Sequence, residues 1–267
     1  MSIFRLYIYA NIHVALAVLS LLTITHLAFG LVFQPALYLF VFCNTVLTYN
    51  FIHYTASKTA DKHNRTPILV FTIVLALVGG FSAMFLCPYT LLCAAFIGAF
   101  GFLYELPEGK FLGGFRQWRY LKSFVVAFCW ASVTVLLPLV DQGYPLDYVV
   151  GLFWTQFFLW TLATLLPFEI RDLNRDNPKI KTIPQVLGVV GAKRLGYVMA
   201  IGIMVLEIFM GNAKEFAILP TALAVSGIVF FLRISTTNQK RYFASFWVEA
   251  LPMGWMGATL LWRWVSL

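Results

Sequence analysis

The chain has 267 residues, of which 61% are apolar, 17% aromatic and only 11% charged. A soluble domain carries about 25% charged and 45–50% apolar residues, so this composition excludes a soluble globular protein, a disordered chain and a nucleic-acid binder. Nineteen Lys and Arg against 11 Asp and Glu give a net charge of +8. In so apolar a chain, the question is which membrane face holds that excess.

A transmembrane helix needs roughly 20 mostly apolar residues. Nine stretches qualify, at about 8–29, 33–53, 66–86, 88–106, 120–140, 147–170, 195–211, 216–233 and 243–264. None alternates with period two, so a barrel is unsupported and the spans read as helices, whose backbone groups are satisfied internally. The expected fold class is an all-α polytopic membrane protein. It forms one transmembrane helical domain over 1–267, with polar loops near 54–66, 107–122 and 170–194.

The basic residues set the orientation. The N-terminus and the loops after spans two, four, six and eight hold 17 of the 19 Lys and Arg; the other face keeps only Lys214 and Arg263. Such a bias places the first set, with the N-terminus, in the cytoplasm, and a bacterial inner membrane is the expected location. The four cysteines, Cys43, Cys87, Cys93 and Cys129, lie in apolar segments without a CxxC pair and read as small apolar filler.

Three of the 11 acids are grouped at the cytoplasmic end of span six: Glu169, Asp172 and Asp176. Spacings of i, i+3 and i+7 put them on one helical face, where like charges repel. A cation between them offsets that cost, and hard oxygen ligands suit Mg²⁺ held jointly with substrate phosphates. Without one, the segment is a solvated helix end with Arg171 and Arg175 as surface partners. Pro178 ends this helix, and Lys179-Ile-Lys-Thr-Ile-Pro184 starts another. The run from Gln185 to Arg194 reads as a short interfacial helix leading into span seven.

Glu169-Ile-Arg-Asp172-Leu-Asn-Arg-Asp176, followed by Lys181-Thr-Ile-Pro-Gln-Val-Leu-Gly188, resembles the second signature of the UbiA superfamily of intramembrane prenyltransferases. The resemblance implies a bundle of nine transmembrane helices with a cytoplasmic N-terminus. It also implies transfer of an isoprenyl group from its diphosphate to a lipid-soluble, commonly aromatic, acceptor. Partners are then an isoprenyl diphosphate, a hydrophobic acceptor and membrane lipid, with Mg²⁺ as cofactor and Glu169, Asp172 and Asp176 as its ligands. The family's first acidic motif is altered here. Its Asn is present as Asn50, but Phe51, Tyr54 and Lys58 stand where the acids belong.

A lysine at that place offers a point charge to phosphate oxygens. Lys58 is therefore a candidate catalytic residue, with His53 as donor or base; otherwise Lys58 snorkels to the interface. The resemblance also implies a Tyr and a Lys from the loop after span four, here Lys122 with Tyr104 or Tyr120. Asn50, Tyr104, Arg116, Arg119, Arg175 and Lys181 are the expected substrate-binding set. An alternative is a non-catalytic protein of the same fold that binds isoprenoid or quinone-type lipids. Two intramembrane acids stand apart. Glu249 needs a partner, and Glu207 is expected to reach the outer interface.

Overall fold

The computed structural model describes residues 3–56, 62–105, 121–176, 181–211 and 218–266. Among these residues the regular structure is helical, with no strand.

Helix α1 (Ile3–Tyr9) is separated from α2 (Ile12–Phe29) by Asn11, whose φ of 57° lies in the left-handed region that Asn tolerates better than most residues. Gly30, also left-handed, ends α2, and its N–H returns to the last turn. Next come α3 (Pro35–Ala56), α4 (Lys62–Ala83) and α5 (Pro88–Glu105). Helix α6 (Leu121–Ala131) continues through a π-helical stretch, Ser132–Leu136, into α7 (Leu137–Asp141). Helix α8 (Tyr148–Asp172) starts at Asp147, whose carboxylate accepts from Val150 N at 2.9 Å. Helices α9 (Ile183–Met210) and α10 (Ile218–Ile234) follow, then a second π-helical stretch, Phe243–Val248, and α11 (Leu251–Ser266).

Every apolar stretch of the sequence reading falls on a helical segment, with two changes of boundary. The first stretch is broken at Asn11. The seventh is the far end of a 28-residue helix beginning at Ile183, so the expected short interfacial helix is its N-terminal part, set off where Gly188 leaves helical geometry (φ 71°, ψ 170°). Five helical segments are long and apolar enough to cross a membrane: Ile12–Phe29, Pro35–Ile52, Leu121–Asp141, Tyr148–Asp172 and Ile183–Met210. Ile68–Ala83, Pro88–Phe102 and Ile218–Ile234 are shorter apolar helices.

Helix α8 is the hub, packing on α6, α9, α10 and the second π-helical stretch. Its Phe153, Phe157 and Trp160 are fully buried, and Trp160 lies against Trp255 of α11 with ring centroids 4.4 Å apart. Close helix approach needs small residues: a Cβ on Gly196 of α9 would meet Leu232 at 2.5 Å and Leu166 at 2.9 Å. Exposed Leu77, Met84, Tyr89, Phe209 and Trp264 give the bundle an apolar exterior suited to lipid.

The helix ends sort into two faces. At one, Lys193 Nζ donates to Arg233 O (2.9 Å), Gln239 Nε2 to Pro167 O (2.9 Å), and Arg241 contacts Tyr9. At the other, Arg263 donates to Leu27 O (2.7 Å), Gln142 pairs with the backbone of Val32, and Asp141 accepts from Thr90 and Cys87 N at the start of α5. The partition agrees with the charge bias.

Candidate functional site

The acidic segment closes α8 at the basic face. After Asp172 the chain makes one further turn, with Asp172 O accepting from Arg175 N and Asp176 N, both at 2.8 Å. The three carboxylates nevertheless have different surroundings. Glu169 is turned into the bundle and only 6% exposed. It accepts from Ser123 Oγ of α6 and from Ile183 N, the first residue of α9, at 3.2 Å. It thus ties together the three helices that frame the site. Asp172 is half-buried and forked by Arg171, at 2.9 Å from Nε and 2.7 Å from Nη2. Asp176 lies 3.7 Å from Lys122 Nζ at the start of α6, and its backbone carbonyl accepts from Gln185.

The start of α9 is built to hold this loop. Thr182 is its N-cap, Gln185 completes a capping box, and Pro184 sits in the first turn. Lys181, exposed and left-handed at φ 52°, precedes the cap. Arg175 is exposed on the turn before it. Lys122 and Arg171 thus pair with Asp176 and Asp172, and Arg175 and Lys181 are exposed on the segment that joins α8 to α9. Of the residues expected from sequence, Lys122 and Asp176 are in direct contact, and Asp172 is held by Arg171 one turn before Asp176.

Asn50 is elsewhere. It is 1% exposed, accepts from Asn11 Nδ2 at 2.7 Å and donates to Thr72 Oγ1 at 2.9 Å, cross-bracing α2, α3 and α4. His53 and Tyr104 fall on α3 and α5, but their side chains lie outside the described residues. Lys58, Arg116, Arg119 and Tyr120 lie outside them altogether, as do most of the loops near 54–66 and 107–122.

Arg171 is not the surface partner that the solvated-helix alternative makes it. It is partly buried, forked on Asp172 and set over the Phe168 ring at 5.4 Å. Glu207 is not at the outer interface either. It is 1% exposed and accepts from Gln156 Nε2 of α8 at 2.7 Å. A polar partner on the facing helix holds it inside. The i, i+3, i+7 pattern identified a shared face; it carried no sign of Ser123 or of the Ile183 N–H, which turn Glu169 inward.

The donor set can be weighed against Mg²⁺ directly. Among the described residues there is no group of three or more His, Cys, Asp or Glu placed to share a metal. Glu169 already accepts from two protein donors. Asp172 and Asp176 stand one turn apart, partly exposed and each paired with a basic side chain. Two carboxylates plus substrate phosphates are a usual Mg²⁺ set, so these two residues fit one such ion.

No family profile matches the sequence, and no curated protein does. In fold the chain is similar to the apo structure of a UbiA homolog from Aeropyrum pernix K1, with a TM-score of 0.62 at 15% identity, covering 99% of this chain and 100% of that one. The protein therefore has a UbiA-like fold, an all-α integral membrane bundle.

Proposed function

We propose that this protein is a UbiA-like prenyltransferase, moving an isoprenyl group from an isoprenyl diphosphate to a lipid-soluble acceptor at the cytoplasmic face of a bacterial inner membrane. The observation that carries this reading is the pairing of Asp172 with Arg171 and of Asp176 with Lys122, on a segment that also exposes Arg175 and Lys181, at the basic face of a bundle with this fold.

A diphosphate presents several anionic oxygens to these basic side chains. Arg171 supplies a planar fork and the lysines point charges. Asp172 and Asp176 are the residues that would hold Mg²⁺, which when bound neutralises the charge the departing diphosphate gains. The isoprenyl C–O bond breaks with its electron pair leaving on the diphosphate, and the acceptor closes a new bond to the allylic carbon as its own C–H or O–H bond breaks and the proton passes to the departing diphosphate or to water. Glu169 acts on the frame, fixing α6 and α9 against α8 so that Lys122 faces Asp176.

The test is diphosphate release by purified protein in lipid, with isoprenyl diphosphates and a panel of aromatic acceptors. Mg²⁺-dependent release is expected. The double variant Asp172→Asn/Asp176→Asn should lower it by about a hundredfold, as for loss of a charge-stabilising group at a reacting phosphate. No release and no binding of any isoprenyl diphosphate would overturn the reading.

One observation favours a second reading, a non-catalytic binder of isoprenoid or quinone-type lipids. The acids of the first motif are replaced by Phe51, Tyr54 and Lys58, and Glu169 is bound within the frame. Co-purifying lipid unaffected by Asp172→Ala, with no turnover, would support it.

A further inference from the structure

Glu207 is a carboxyl group that the proposed chemistry does not use. It lies roughly one turn before the end of α9, and its partner Gln156 lies about two turns into α8, at the end of the bundle opposite Asp172 and Asp176. Both side chains are enclosed, Glu207 at 1% exposure and Gln156 at 0%. Their neighbours Ile203 and Met210 on α9, and Phe153 and Phe157 on α8, are fully buried as well. From α10, Thr221, also buried, faces the same carboxyl group. Neither Gln156 nor Thr221 titrates, and among the described residues no Lys, Arg or His forms an ion pair with Glu207.

The hydrogen bonds leave a matched remainder. Gln156 Nε2 donates to Glu207 Oε2 at 2.7 Å and to Ile203 O at 3.2 Å. These two acceptors fix which end of the amide is nitrogen, since an amide oxygen cannot donate to the Ile203 carbonyl. The other end, Gln156 Oε1, meets no donor among the described residues, and Glu207 Oε1 meets none either. Each of these oxygens stands on the same carbon as an atom of the 2.7 Å bond. An ionised Glu207 would leave both as bare acceptors and bury a charge with no cation beside it. An isolated buried carboxylate is neutralised rather than kept. Among the described residues no second acid, His or Cys joins it to hold a metal ion. A protonated carboxyl group has one O–H to give. Placed on Oε1, that proton has its acceptor in Gln156 Oε1, and one proton satisfies both oxygens.

We infer that Glu207 and Gln156 form a proton-binding site: Glu207 holds a proton on Oε1 and donates it to Gln156 Oε1, while Gln156 Nε2 donates back to Glu207 Oε2. The reciprocal acid–amide pair ties α8 to α9 with no net charge in the membrane interior. It stands independently of the transferase reading. The pairing also says how each substitution behaves. In Glu207→Gln the new amide makes both bonds without a proton, accepting from Gln156 Nε2 and donating to Gln156 Oε1. Glu207→Leu makes neither and leaves the Gln156 amide short of partners.

The experiment is infrared spectroscopy of the full chain in nanodiscs at neutral pH, with thermal unfolding measured in parallel. The wild type should show the C=O stretch of a protonated carboxyl group that is missing from Glu207→Gln. The same band should move in Gln156→Leu, which removes both hydrogen-bond partners of the acid. Glu207→Gln should keep or exceed the wild-type thermal midpoint, and Glu207→Leu should lower it. No difference between wild type and Glu207→Gln in the protonated-carboxyl region would overturn the inference, as would a band that Gln156→Leu leaves in place. A Glu207→Gln that fails to fold, or loses as much stability as Glu207→Leu, refutes it too, because the reciprocal bonds survive that change. If Gln156→Leu does not fold, the Glu207→Gln difference spectrum and the midpoints of the two Glu207 variants decide. A midpoint raised by Na⁺ or K⁺ in the wild type and not in Glu207→Gln means that a metal cation neutralises Glu207, and the proton site is refuted.

Discussion

At the residue scale the instructive case is Glu169. A carboxylate on an exposed helix face contributes little when removed, because exposed ion pairs are worth about 0–1 kcal/mol. Glu169 instead accepts from Ser123 Oγ and Ile183 N in a buried setting. Its removal leaves both donors unpaired, each costing about 1–3 kcal/mol. Glu169→Ala should therefore lower the thermal midpoint in detergent clearly more than Asp172→Ala or Asp176→Ala. Equal effects of all three would mean that Glu169 does not pin the helices. Periodicity made the acidic trio legible in the sequence. Which of its members turns inward depends on Ser123, 46 residues away on α6, and no local pattern carries that. Arg171 was missed for the same reason: beside two acids it reads as a surface cation, and only the packing of α8 shows its fork closing on Asp172.

At the element scale, α9 shows how much of a boundary local chemistry encodes. Its start was readable from Pro178 and Pro184, because a proline that stops one helix and a proline in the first turn of the next have a direct structural meaning. Its interruption at Gly188 was not, since a lone glycine in an apolar run is tolerated in many helices. The conformation there, φ 71° and ψ 170°, is nearly exclusive to glycine and costs other residues about 1–3 kcal/mol. A Cβ at Gly188 has nothing within 4 Å to meet, so any penalty is conformational and not a clash. Gly188→Ala should reduce thermal stability by about that amount, and Gly188→Val should exceed it through β-branching. Gly143, left-handed at φ 63° in the loop before α8, is an ordinary αL position and should respond more weakly to alanine. Comparable losses at both would refute a special strain at Gly188.

At the scale of the whole molecule, the excess charge acts through its distribution. A cation near an anionic lipid surface gains about 1 kcal/mol, so a strongly one-sided set of basic residues favours one orientation over the other. The contacts between helix ends agree with that sidedness: Lys193 meets the end of α10, while Arg263, across the membrane, meets the end of α2. Composition therefore made the class legible, and charge made the two-sidedness of the helix ends legible. Pairings between distant helices, such as Tyr49 with Trp130 or Gln156 with Glu207, were not, because they depend on packing and not on spacing. Orientation is testable with single cysteines placed in a background lacking Cys43, Cys87, Cys93 and Cys129. Lys240 and Leu146 are both exposed, at opposite ends of the bundle. In intact cells an impermeant maleimide should label Leu146→Cys and leave Lys240→Cys unreacted until the membrane is opened. The reverse pattern would invert the protein and place the Asp172–Asp176 mouth outside the cell, where a cytoplasmic isoprenyl diphosphate does not reach it. Labelling of both sites in intact cells would mean that the two ends do not lie on opposite sides of a sealed membrane.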